Sequence, residues 1–471
     1  MKKHNIAFHN KRHIVGRPSI IFTLFGMSLL LFVLTTPSIC WAAGTTPHKG
    51  VAPPLWSVIP FIGILLSIAI IPLVSHDWWH KHFPKIALIW ACPVAVWALF
   101  YKTEWLFHTS IEYAAFISLI GSLFVICGGI YIKGNLRGSP LVNTAILAIG
   151  CVLANFIGTT GASMILVRPL IRANSNRKHR VHMLVFLVFL VSNIGGSLTP
   201  LADPPLYLGL LKGVPFYWTL KLLPEWLFAC GILLAVFFVI DLYYYHRKEE
   251  IVRETTPVRI VIDGKRNVFF LAGILGAVLL YSQLPVAMGF CREIIQIAIM
   301  GIMAFLSYRY TPNIVHIENE FNWLPIREVT ILFAGIFACM IPVLKVLEMR
   351  GGELGVVEPW QFFWATGLLS GFLDNAPTYL SFLSLGIPVS HNATDVVRLF
   401  NGTIEASILK AISIGAVYMG ALTYIGNGPN FMVKSIAAHQ GVKMPSFFGY
   451  MAWSFAILIP LFFLMTFIFI K

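Results

Sequence analysis

Charge is scarce in this chain. Only 11% of its 471 residues are Asp, Glu, Lys or Arg, against 58% hydrophobic, and the mean hydropathy is +0.79. That balance excludes a soluble globular protein. Long hydrophilic stretches are missing too: the largest break between apolar runs, about 246–266, is too short for an inserted soluble domain. The chain has no Walker A sequence, no Gly-x-Ser-x-Gly and no His-Glu-x-x-His, so nothing points to an ATP-driven pump or to an enzyme. Its seven cysteines lie mostly within apolar runs and form no CxxC pair, which argues against a disulfide framework or a metal centre. No cofactor is expected.

Recurrent apolar runs with short polar connections describe an all-α polytopic membrane protein, with lipid as its surroundings. The formal net charge of +14 does not imply nucleic acid as a partner, because the basic residues sit in the short connections, where orientation signals belong. Residues 1–43 run basic, apolar, then small, the order of a signal peptide, with an uncleaved extra N-terminal helix as the alternative. Spans are expected near 55–74, 86–101 and 113–132. The region 140–171 is too long for one simple span and is interrupted at Asn155-Phe-Ile-Gly-Thr-Thr-Gly161, which suggests a re-entrant hairpin. A broken helix near 183–205 and a span at 216–245 complete the first half.

The second half repeats this order. Spans near 268–281, 294–308 and 329–347 precede a hairpin at about 359–386, a broken helix from 404 to 430 and a last span at 447–470. Asn155 pairs with Asn375, Ile194-Gly195 with Ile425-Gly426 and Gly213 with Gly441, at offsets of 220, 231 and 228. The expected organisation is therefore repeat 1 over 44–245, a cytoplasmic linker over 246–266 and repeat 2 over 267–471. Each repeat has five transmembrane helices plus a hairpin, and Lys and Arg place the two repeats in inverted orientation.

The richest stretch is Gly371-Phe-Leu-Asp-Asn-Ala-Pro-Thr378, which puts a carboxyl group at membrane depth. An acid there costs on the order of 2.5 to 3.5 kcal/mol by insertion scales, and such residues usually line a pathway or a site. Pro377 favours a helix break over Asp374 to Pro377. Broken backbone at that depth is tolerated only where it is buried or lines a cavity. Asp374 and Asn375 then offer hard oxygen ligands for Na+, and Asp203, between Pro200 and Pro204, is the second acid. A Na+ site is expected at Asp374, Asn375 and Asp203. Neutral oxygens at the breaks, from Asn155, Thr159, Thr160, Asn193, Thr199, Thr378 and Asn427, complete the ion- and proton-binding set. Burial favours the protonated carboxyl and a bound cation favours the ionised one, so one carboxylate can hold either.

Weaker signals read as ordinary structure. Gly367 and Gly371 form a GxxxG that would let hairpin arms approach, His179 and His182 read as solvated loop residues, and Glu225 as a snorkelling one. Arg168 is the one basic residue placed to meet an anion.

Taken together, Ser192-Asn-Ile-Gly-Gly-Ser-Leu-Thr-Pro-Leu-Ala-Asp-Pro-Pro205 and Gly371-Phe-Leu-Asp-Asn-Ala-Pro-Thr378 resemble the ion transporter superfamily, in particular the NhaD-type sodium/proton antiporters and their arsenite and citrate transporter relatives. The resemblance implies two inverted repeats, commonly in a homodimer, in a bacterial inner (plasma) membrane. It implies cation binding at Asp374 and Asn375, a first hairpin tip over 155–160, and a broken helix lined by Asn193, Thr199 and Asp203. The expected function is exchange of Na+ (or Li+) for H+ by alternating access; the alternative is Na+- or H+-coupled transport of a dicarboxylate, citrate or arsenite-type anion. The Ser-Asn-Thr tips typical of the superfamily's dicarboxylate carriers are absent, which tilts the reading towards inorganic cations.

Overall fold

The computed structural model describes residues 53–135, 138–246, 258–390 and 394–470. The leader or extra helix expected over 1–43 lies outside them, as do residues 247–257 of the linker. Two compact units are distinguished. The described part of the smaller, residues 285–291, is a tight turn around Val286–Met288. The larger is Gly50–Leu284 with Arg292–Lys471.

The chain is an all-α polytopic membrane protein. Among the described residues, eight helices are long and apolar enough to cross a membrane. The first half contains α1 (Ile59–Val74), α2 (His76–Tyr101), α3 (Thr103–Gly128), α4 (Pro140–Ala173), α5 (Val181–Leu190), α6 (Pro204–Leu211) and α7 (Leu223–His246). The second contains α8 (Asn267–Gln283), α9 (Cys291–Tyr310), the short α10 (Asn313–Glu318), α11 (Leu324–Arg350), α12 (Pro359–Leu373), α13 (Asn375–Val389), α14 (Ala406–Met419), α15 (Gly428–His439) and α16 (Phe447–Phe469). Apart from α10, the element order of the first half recurs in the second. Two antiparallel ribbons are the only strands among the described residues. In one, β1 (Tyr131–Asn135) pairs with β2 (Val258–Asp263), so part of the linker is strand; in the other, β3 (Val396–Leu399) pairs with β4 (Gly402–Glu405).

Local chemistry sets the helix ends. Ser139 caps α4, accepting from the Val142 amide at 3.3 Å, and Pro140 occupies the first turn, where a missing N–H is harmless. Glu358 and Gln361 form a reciprocal capping box at the start of α12. The expected break over Asp374 to Pro377 narrows to Asp374 alone. Pro377 stands in the first turn of α13, where the helix has no use for its amide hydrogen.

The broken helices are the centre of the unit. Residues 183–191 are fully buried and apolar all round, and most of α14 is buried as well. The outer helices α1, α2, α7 and α16 also carry apolar faces, but large side chains such as Phe100 (75% exposed) and Phe467 (74%) point outward, as a lipid-facing surface requires. Close approach of α12 to α14 depends on glycine. A Cβ on Gly415 would lie 2.7 Å from the Phe363 carbonyl, and one on Gly371 would lie 2.9 Å from that of Met419. The GxxxG pair therefore serves the contact with α14 and not one between hairpin arms.

Gly415→Ala is expected to destabilise the protein by about 1–3 kcal/mol through overpacking against backbone. Thermal unfolding in detergent, with Gly301→Ala at an uncrowded position as reference, checks this.

Candidate functional site

The two hairpins each break at one residue with positive φ and extended ψ. Gly158 has φ 77° and ψ 153° inside α4, and Asp374 has φ 136° and ψ 140° between α12 and α13. Glycine adopts this geometry freely, whereas for Asp374 it is strain of order 1–3 kcal/mol, of the kind that persists at functional sites. The residues just after the breaks, Thr159 and Asn375, are thus structural counterparts. Each grips one oxygen of the same carboxylate: Thr159 Oγ1 donates to Asp203 Oδ1 at 2.9 Å, and Asn375 Nδ2 donates to Oδ2 at 2.6 Å.

This geometry corrects the register read from residue identity. Asn155 does not correspond to Asn375 but to Gly371: the Asn155 carbonyl accepts from Thr199 Oγ1 and the Gly371 carbonyl from Thr423 Oγ1, each at 2.5 Å. Asn155 is otherwise fully engaged, donating to the Cys151 and Gly195 carbonyls and accepting from the Leu198 amide. Asn155 and Thr199 therefore fasten the first hairpin to the irregular segment after α5, satisfying backbone groups freed by the break.

Asp203 precedes α6 at its N-cap, yet its side chain does not cap that helix. It is 1% exposed and takes a third donor, Asn427 Nδ2, at 3.0 Å. Asn427 is the matching residue before α15 and likewise leaves its own helix uncapped. From there an amide chain crosses the molecule. Asn427 donates to Asn193 Oδ1 at 3.2 Å, Asn193 to Asn430 Oδ1 at 2.7 Å, and Asn430 to the carbonyls of Gly420 and Thr423.

Asp374 is half-buried; its Oδ1 accepts from the Ala376 amide at 3.1 Å, and Thr378 Oγ1 donates to its carbonyl at 2.7 Å. Asn375 Oδ1 is buried with no partner. Thr160, half-buried, takes no part in this network. Among the described residues, no Lys or Arg bonds to Asp203, Asp374 or Asn375.

Two carboxylates and an unpaired buried amide oxygen are oxygen donors of the kind a hard cation such as Na+ takes. Four helical segments also begin here, at Thr159, Pro204, Asn375 and Gly428, so their positive ends converge on the site.

Other buried charges were misread or missed in the sequence. Asp241 sits inside an apolar run and is fully buried, yet it meets Arg177 at 2.6 Å, His182 at 2.8 Å and Asn143 at 2.8 Å. His182 is thus no solvated loop residue; it is 2% exposed and stacks on Phe237 and Tyr244. Glu225 does not snorkel: it is 1% exposed and bound to Lys410 at 2.9 Å. Arg168 lies at the base of the first hairpin, away from Asp203, opposite Glu320. The paired acids and bases stand 59 to 185 positions apart in the chain, beyond the reach of any local pattern.

Comparison with known families gives one result: the family model described as "Putative citrate transport" matches residues 50–470. No curated protein matches the chain.

Asp241→Ala would take away the buried carboxylate that Arg177, His182 and Asn143 all meet. A loss of about 3–5 kcal/mol of stability is expected, with Asp241→Asn milder, read from thermal denaturation of the purified protein.

Proposed function

The chain belongs to this citrate-transport family and is an integral, multi-pass membrane transporter; on that premise we propose that it exchanges Na+ (or Li+) for H+ by alternating access at Asp203. One observation carries this reading: the buried Asp203 carboxylate is shared by both hairpin tips, beside an unpaired amide oxygen, with no basic side chain bonded to it. A cation placed among Asp203, Asp374 and Asn375 Oδ1 replaces the missing positive charge, and a proton on a carboxylate does the same with one bond. The two occupants exclude each other. If only neutralised forms change access, release of one ion requires uptake of the other. The halves are read as inverted repeats, so the hairpins enter from opposite faces; grips on opposite oxygens of one carboxylate support that.

A second reading is cation-coupled uptake or export of an organic anion of the citrate type. The family description favours it, and so do the four helix starts around Asp203, because positive helix ends suit an anionic substrate as well as a carboxylate side chain.

Everted vesicles with a pH-sensitive dye separate the two. Exchange predicts a Na+-dependent proton flux with no organic solute present, lost in Asp203→Asn and weakened in Asn375→Ala; flux only when citrate is added would replace the first reading by the second. Competition at one carboxylate also predicts that the apparent KM for Na+ falls as pH rises, by up to about tenfold per unit while the proton dominates. A KM that ignores pH would rule out a shared site.

A further inference from the structure

At the base of the first hairpin, Arg168 and Arg172 stand one turn apart on the second arm of α4. Arg168 lies nine residues from Thr159, roughly 13 Å along the helix axis, so it belongs to a different place from the Asp203 network. Its side chain is 7% exposed, and its Nε is buried with no partner. A buried guanidinium normally has its donors filled. Arg172 gives its two terminal nitrogens to Tyr131 Oη and the Ile132 carbonyl of β1, with the guanidinium over the Tyr131 ring, and its Nε is also buried and unpaired. The nearby Lys133 is fully committed to Asp263 at 2.6 Å.

What faces Arg168 is a carboxylate held loosely. Glu320 approaches at 3.6 Å, beyond a good charge-assisted hydrogen bond, and its own side chain is 63% exposed. It stands on the turn after α10 with φ 47°, a left-handed backbone for a residue other than glycine. So a buried arginine with spare donors is covered by an exposed, weakly held acid on a strained turn.

We infer that Arg168 and Arg172 form a binding site for an organic carboxylate, whose place at Arg168 is taken in this structure by the side chain of Glu320. A ligand carboxylate enters by displacing Glu320, which is already largely in water, and meets Arg168 with the two-point geometry that Glu320 lacks. A second carboxylate on the same molecule reaches Arg172 Nε. Displacement frees the turn after α10 from the hairpin arm, so occupancy at this site loosens one tether on the element that carries Thr159. The site does not depend on which solute Asp203 couples to.

The test is titration calorimetry on the purified full-length protein in detergent, with citrate as the probe and inorganic phosphate and sulfate as comparators. Glu320→Gln removes the competing charge at an exposed position and is expected to tighten citrate about tenfold or more. Arg168→Gln is expected to remove the component of citrate binding that Glu320→Gln tightens, whatever citrate binds elsewhere. Unchanged citrate affinity in Glu320→Gln overturns the proposal, whether or not Arg168→Gln folds. Tightening of phosphate or sulfate without citrate overturns the assignment to carboxylates. Na+-induced thermal stabilisation is measured on the same Glu320→Gln sample and is expected to match the parent. That readout reports on the Asp203 site, so failure of either reading leaves the other standing.

Discussion

A carboxylate taken out of water needs either a counter-charge or a complete set of donors. Asp203 has the second and lacks the first: Thr159, Asn375 and Asn427 satisfy its oxygens, and each comes from a different helix break. These donors are neutral, so they satisfy hydrogen-bonding valence but bring no positive charge to offset that of the ionised carboxylate in a low-dielectric surrounding. Asp241 shows the contrasting solution within the same chain. It has Arg177 and His182 beside it, and that pairing makes it part of the framework.

The rest of the fold follows from keeping that charge reachable. The helix breaks bring helix ends, and not only side chains, to one point inside a bilayer-spanning bundle, and each break frees polar groups that must be satisfied. The two halves solve this identically: a threonine of the broken helix donates to a carbonyl just before the hairpin tip, through Thr199 in one half and Thr423 in the other. The chain from Asn427 through Asn193 to Asn430 absorbs the remaining groups where the broken helices meet. Glycine at 371 and 415 lets α12 lie directly on α14, which fixes the height of Asp374 and Asn375 relative to that crossing.

Much of this was legible in the sequence, and the parts that were not share a physical cause. Apolar runs and Pro and Gly punctuation identified the class of protein and the neighbourhoods of the two helix breaks, because hydropathy and helix-breaking are local. Residue identity aligns Asn155 with Asn375, which look alike and do unlike work. The true counterparts, Gly158 and Asp374, are chemically dissimilar and share only a backbone conformation, which residue identity does not encode. In the same way the weight placed on Asp374 moves to Asp203, whose centrality comes from partners 44, 172 and 224 residues away.

The neutrality of the donors around Asp203 also has a dynamic consequence for either transport reading. Moving one hairpin away from the other strips Thr159 or Asn375 from the carboxylate, and a bare carboxylate in that setting costs several kcal/mol. Neutralising it first, with a proton or a cation, lowers that cost because a neutral group tolerates the loss of a donor far better than an ion does. On either reading, coupling between ion occupancy and access needs no separate gate or sensor, because both hairpin tips hold the same carboxylate. An arginine at the same position, as Asp241 has, would satisfy the charge permanently and remove the reason for any ion to come.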